Sequence, residues 1–196
     1  MSFNKSLQSK EILSSIRNRR SVRKYSYQPV EREKILTCIN AARLAPSADN
    51  IQPWRFIILD DAEQKTSFEK EIYSGIYRVT RWAVSAPVLI VLLADIHVLA
   101  HRMGGGLQKI PFHFLDLGIA GEHFVLQAQE LNLSTCWIGW FNVKKAARFL
   151  KVPRGVKICS LLAVGHQADG WRSRIRRIKP LKDLVFENKW GQSIEF

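Results

Sequence analysis

The chain has 196 residues, a length that favours one domain over 1–196 while leaving room for a second, and at 46% hydrophobic and 24% charged it has the balance of an ordinary globular protein. It carries a net charge of +13, with 30 Lys and Arg against 17 Asp and Glu. A chain this long buries most of the surface it exposes when unfolded, so neither a disulfide framework nor a structural metal is required for stability.

Taken in order, the elements begin after Pro29. Ile35, Ile39 and Ala42 recur at helical spacing and predict a helix over Glu31–Leu44, with Glu31 and Glu33 complementing its N-terminal dipole. Ala45-Pro46-Ser47 stops it. Arg55–Leu59 reads as a strand closed by Asp60-Asp61, and Ala62–Tyr73 as a helix. Pro87–Ala94 is almost wholly apolar, the pattern of a strand buried on both faces. After the Gly104-Gly105-Gly106 break, Leu115, Ile119, Phe124, Leu126 and Leu131 place a long central helix over Phe112–Leu131. A short strand at Thr135–Ile138, a helix at Val143–Leu150 and a strand at Val156–Val164 follow. A basic loop, Gln167–Lys179, leads to a tail ending in Trp190-Gly191. Strands and helices alternate without a βαβ rhythm, which makes the fold α+β.

The charge is uneven. Residues 1–34 hold nine Lys and Arg against three acids, and residues 144–182 hold twelve against Asp169 alone, while the body between is near neutral. Such a basic pole fits an anionic ligand: a phosphorylated cofactor, a nucleic acid or a membrane surface.

Four constellations could carry chemistry. Arg19-Arg20-Ser21-Val22-Arg23 offers forked guanidinium donors and a hydroxyl that can wrap a phosphate, or it is a solvated basic helix end. The proline-bracketed loop Ala45-Pro46-Ser47-Ala48-Asp49-Asn50-Ile51-Gln52-Pro53-Trp54 can present amides to a polar ring, or is a capped turn. Thr135–Phe141 sets Gly139 among aromatics, which lets backbone approach a ligand closely, though aromatic clusters also simply pack cores. The run Arg172, Arg174, Arg176, Arg177 and Lys179 could complete an anion site or bind nucleic acid.

Other chemistries lack their residues. The five histidines show no HExxH spacing, so no metal site is expected, and no GxSxG elbow, P-loop or GxGxxG turn is present. Cys136 has no basic neighbour in sequence to activate it, so no catalytic side chain is expected. Three widely spaced cysteines without a CxxC pair fit reduced thiols and a cytoplasmic setting. The run Ala83–Ala94 is too short to span a bilayer, and the polar N-terminal stretch lacks a signal-peptide core, so no membrane partner is expected.

In order along the chain, "RRSVRKY", "APSADNIQPWRFIIL", "APVLIVLLAD", "DLGIAGEHFVLQAQELNLSTCWIGWF", "LLAVGHQADG" and "PLKDLVFENKWG" together resemble the motifs of the nitroreductase family of FMN-dependent oxidoreductases, from about Arg17 to Gly191. The resemblance implies a three-layer fold with a central, mainly antiparallel sheet flanked by helices, forming an intertwined homodimer with FMN at the interface. It implies that Arg19, Arg20, Ser21 and Arg23 hold the FMN phosphate and ribityl chain. Pro46, Ser47, Asn50 and Gln52 would then contact the flavin from the partner subunit, and Ile138 and Gly139 would line the ring near N5. The family's Lys/Arg-x-Arg step before Pro-Leu is altered here, since Ile178 stands two before Pro180; Arg177 and Lys179 are expected to take its part, with Arg176 as the substitute. The implied activity is ping-pong transfer of electrons from NADPH or NADH through flavin N5 to a nitroaromatic, quinone or similar small acceptor. Reductive dehalogenation or flavin fragmentation is the alternative within the family, and a basic nucleic-acid-binding protein the alternative outside it; nothing in the chain resembles a nucleic-acid-binding motif.

Overall fold

The apolar run is the spine of the molecule. In the computed structural model, which describes residues 12–96, 111–173 and 175–194, it forms strand β2 (Val88–Asp95), buried at every position except the last. Antiparallel partners flank it. Strand β1 (Trp54–Leu59) pairs on one side, from Trp54 opposite Ala94 to Leu59 opposite Leu89. Strand β4 (Val156–Gly165) pairs on the other, with a bulge between Leu92 and Leu93. Strand β3 (Ser134–Ile138) closes the sheet beyond β4, giving the order β1-β2-β4-β3 with every pairing antiparallel.

Because side chains alternate across a strand, β2 feeds two cores. Leu89, Val91 and Leu93 face one core with Phe68 and Ile72 of helix α3 (Ala62–Ile72), Ala83 of a 3₁₀ segment (Gly75–Ser85) and Ala146 of helix α5 (Val143–Phe149). Val88, Ile90 and Leu92 face the other, covered by Ile35, Cys38 and Ala42 of helix α2 (Arg32–Ala42) and by helix α4 (Phe112–Glu130). The result is the expected three-layer α+β arrangement. Side-chain caps start two of these helices: Asp61 accepts from the Gln64 N–H and Asn142 from the Lys145 N–H.

Helix α4 departs from its expected burial. Phe124 is in the core, but Leu115 and Ile119 face outward, and the buried stripe runs instead through Leu117, Ala120, Gly121, Val125 and Ala128. The small residues let the helix lie close on the sheet. A Cβ on Gly121 would stand 2.2 Å from the Trp137 side chain on β3. Helix α1 (Ser14–Asn18) and the 3₁₀ segment are additions to the elements expected, and Ile76 and Val79 of the latter are exposed. The stretch 97–110, which includes the Gly104 to Gly106 break, lies outside the described residues.

Candidate flavin-binding site

Residues 21–26 leave α1 in extended form and are strapped to the end of the sheet. The Val22 N–H donates to the Thr135 carbonyl of β3 at 3.1 Å, and the Ser26 N–H to the His166 carbonyl at 2.9 Å. Val22 and Tyr25 are buried anchors. The Tyr25 hydroxyl lies 2.7 Å from the Val22 carbonyl oxygen and 3.2 Å from that of Ala163, and burial pushes its pKa far up, so it remains a donor. With those side chains inside, the others of the segment face out.

They face a cleft of about 670 Å³ lined by Arg19, Arg20, Ser21 and Arg23 on one side and Trp171, Arg172 and Arg176 on the other. Several of these cations are already oriented. Arg20 Nη1 donates to the carbonyls of Arg17 (2.7 Å) and Arg19 (2.9 Å). Arg19 Nε stands 3.7 Å from Glu122 of α4, and the Arg23 guanidinium sits 5.5 Å from the centre of the Trp82 ring, within cation–π range. Five guanidinium groups around one opening make a site for a phosphate, which they can grip through paired N–H donors.

The structure thus brings Arg19, Arg20, Ser21 and Arg23 together, and it joins to them a part of the C-terminal basic run. That part is Arg172 and Arg176, whereas Arg177 and Lys179 are exposed and do not line the cleft. Arg174 lies outside the described residues. Trp171 and Ser173 were not singled out in the sequence, where only the adjoining arginine run is visible.

The proline-bracketed loop forms a tight unit of its own. Ala48–Asn50 is a 3₁₀ turn, and Asp49, Asn50 and Gln52 have φ of 50°, 52° and 52°, the left-handed region that Asn and Asp enter most readily among non-glycine residues. The Gln52 N–H donates to Ser47 Oγ and its Nε2 to Asn50 Oδ1, both at 2.9 Å. Pro46, Asn50 and Gln52 are exposed at its tip, and none of the loop residues lines the arginine cleft of the same chain. Asp116 of α4, a carboxylate only 3% exposed and unremarked in the sequence, accepts from the Ala48 N–H at 3.0 Å.

At the end of β3, Ile138 and Gly139 separate. The Ile138 side chain is in the core, so only its backbone is free to meet a ligand. Gly139 is exposed and a Cβ there would meet nothing within 4 Å, which leaves open space for a planar ring to approach the main chain. Cys136, with no basic neighbour in sequence, has Arg23, Arg19 and Ser21 near it in space; burial still outweighs them and raises its thiol pKa. The cation-rich cleft and the bare main chain at Gly139 fit a phosphorylated planar cofactor.

A nitroreductase family model matches residues 16–166. The chain belongs to the nitroreductase family. Among its relatives is an Archaeoglobus fulgidus protein named as an NADH dehydrogenase/NAD(P)H nitroreductase, 30% identical over 92% of this chain and 99% of its own. Iodotyrosine deiodinase 1 of Sus scrofa is 29% identical over 81% of this chain and 62% of its own. A solved structure described as an FMN-dependent nitroreductase from Clostridium difficile R20291 superposes with a TM-score of 0.73 at 27% identity, covering 91% of this chain and all of that one. Among the described residues no helix is long and apolar enough to cross a membrane, and no group of His, Cys, Asp and Glu could hold a metal.

Proposed function

We propose that this nitroreductase-family chain is an FMN-dependent NAD(P)H oxidoreductase working as a homodimer. The observation that carries the reading is the arginine cleft: five guanidinium groups converge beside Ser21, which bridges to Thr135 of β3, the strand that leads to the exposed Gly139. FMN, when bound, supplies the redox chemistry, accepting electrons from NADPH or NADH and passing them to a small acceptor.

The chain's own part is to bind and to orient. Arg19, Arg20, Ser21, Arg23, Arg172 and Arg176 would grip the phosphate, whose roughly two negative charges at neutral pH are well matched by this many cations. Gly139 and the Ile138 main chain would bound the ring. Pro46, Ser47, Asn50 and Gln52 would reach the flavin of the partner subunit, since none of them lines the arginine cleft of its own chain. Exposed apolar side chains also support a dimer: Phe114, Leu115 and Ile119 on α4, and Leu181, Leu184 and Trp190 in the tail. Among the described residues the cleft is lined by arginines, Ser21, Trp171 and Ser173, groups that bind and orient a phosphate.

Nitroaromatics and quinones are the acceptors this reading favours, in the cytoplasm. A second reading, reductive dehalogenation, is favoured by the named activity of the deiodinase relative. An absorption spectrum of the purified protein, followed by anaerobic addition of NADPH and then NADH, tests both. Flavin bands that bleach with either donor are expected, and bleaching reversed by a halophenol rather than a quinone or nitroarene selects the second reading. A colourless protein that takes up no FMN overturns the proposal.

A further inference from the structure

On the outer layer of the fold, helix α3 and the 3₁₀ segment enclose another cleft, of about 270 Å³, which shares no lining residue with the arginine cleft. Its lining follows from two periodicities. Thr66, Glu69, Lys70 and Tyr73 share one face of α3, being three, four and seven residues on from the first. Arg78, Arg81 and Val84 stand three apart in a 3₁₀ segment, where such positions eclipse one another. Arg78 and Arg81 therefore face, across the cleft, Lys70 and two further polar groups of the α3 side, Glu69 and Tyr73.

Those two groups are unfinished. Glu69 and Tyr73 are each 3% exposed. Lys65 Nζ lies 2.8 Å from Glu69 Oε1 and donates to the Val84 carbonyl, but Glu69 Oε2 and the Tyr73 hydroxyl have no partner. Buried polar atoms are almost always satisfied, so an orphaned acceptor and an orphaned hydroxyl four residues apart on one face point to a group that bridges them. The Lys65–Glu69 pair is neutral as a unit, which leaves the excess positive charge of Lys70, Arg78 and Arg81 to select an anion. An anion alone would be repelled by Glu69 Oε2. An anion that carries its own proton would not.

We propose that this cleft binds a protonated phosphate group, with Arg78 and Arg81 on its charged oxygens, the Tyr73 hydroxyl donating to another, and the P–OH donating to Glu69 Oε2. Free hydrogen phosphate and the monoanion of a phosphate ester present the same chemistry. Sulfate, which holds no proton near neutral pH, does not.

The test is calorimetric titration of the FMN-saturated protein, whose arginine cleft is then filled, with inorganic phosphate, glycerol phosphate and sulfate at matched ionic strength. One phosphate site per chain is expected, with sulfate at least tenfold weaker; tighter binding of glycerol phosphate identifies an ester as the ligand, and tighter binding of inorganic phosphate the free ion. The Arg78→Ala/Arg81→Ala pair is expected to weaken phosphate at least tenfold, and Tyr73→Phe severalfold. Glu69→Gln, which supplies an amide donor, is expected to bring sulfate level with phosphate; if that variant does not fold, the arginine pair and Tyr73→Phe still decide. Equal binding of sulfate and phosphate by the unaltered protein overturns the proposal, as does absence of saturable binding or its persistence in the arginine pair. Should the protein take up no FMN, the same titration on Arg172→Ala/Arg176→Ala, which disables the other cleft, keeps this question separate from that of the flavin.

Discussion

The Ala48 N–H donates to Asp116 Oδ1 at 3.0 Å, and this contact ties the tip of the proline-bracketed loop to the central helix α4. Asp116 is buried and its Oδ2 has no other partner, so the carboxylate is committed to the loop. It holds in place a turn whose left-handed residues would otherwise relax. Asp116→Ala leaves a half-buried N–H unpaired, at a cost of about 1–3 kcal/mol. Lower thermal stability and a severalfold loss of FMN affinity, read by flavin fluorescence quenching, are expected; Asp116→Asn keeps an acceptor oxygen and should restore most of both. Equal flavin affinity in all three proteins would separate the loop from the site.

The cleft lining ranks the C-terminal cations. Arg172 and Arg176 face Arg19 and Arg23, while Arg177 and Lys179 do not line the opening. A hydrogen bond to a charged group contributes about 1.5–3 kcal/mol, so Arg172→Ala and Arg176→Ala should each weaken FMN roughly tenfold or more. Arg177→Ala and Lys179→Ala should change it little. The opposite ranking would place the tail differently in the flavin-bound protein.

Gly121 marks where α4 crosses β3. A Cβ there would lie 2.2 Å and 2.7 Å from Trp137 ring carbons and 3.0 Å from Leu92. Gly121→Ala should therefore lower stability by about 1–3 kcal/mol in a denaturant titration, the usual range for overpacking. Trp137→Leu removes the colliding ring. Combined with it, Gly121→Ala should cost much less than alone, a non-additivity that the direct contact requires.

The elements that the sequence made legible are those whose pattern is local. The unbroken apolar run of β2, the stop at Pro46 and the Asp60-Asp61 end of β1 each act within a few residues, and their boundaries are found within one or two positions of those expected. The arginine motif was legible as a candidate anion-binding segment, and the run from Arg172 to Lys179 as its candidate completion. Which members of that run line the cleft was not legible, because Arg172 and Arg176 meet Arg19 through the fold and not through the sequence. Asp116 gave no signal, since one acid in an apolar helix does not reveal that a distant loop needs an acceptor. Leu115 and Ile119 misled for a different reason: helical spacing shows that residues share a face, not what covers it.

His113 on α4 makes stability pH-dependent. Burial, with Lys157 adding to it and Asp116 opposing, lowers its pKa below the ordinary value of 6.5. The unfolded chain then takes up the proton more readily than the folded one, so the stability contributed by neutral His113 is whole above pH 6.5 and is lost as pH falls from there toward the folded value. The melting temperature should drop across that window, and His113→Gln, which cannot be protonated, should drop less. Parallel curves for the two proteins would assign the loss to other groups.

Helix α4 exposes Phe114, Leu115 and Ile119, and α1, packed beside it, exposes Leu13 and Ile16. These lie on the α2 and α4 layer, opposite the α3 and 3₁₀ layer, and offer apolar surface that a partner chain can cover. Leu115, 54% exposed, is in sequence the middle one of the three on α4. Leu115→Glu would bury a charge in the interface, which is tolerated only when a partner neutralises it. Sedimentation velocity should show a dimer for the unaltered protein and a monomer for Leu115→Glu. Val79, also apolar and exposed but on the opposite layer, supplies the contrast: Val79→Glu should remain dimeric. If Asn50 and Gln52 serve the partner's flavin, the Leu115→Glu monomer should also lose FMN although every residue of its own arginine cleft is intact. A monomer that keeps its flavin would confine the site to one chain and leave the loop without a part in it.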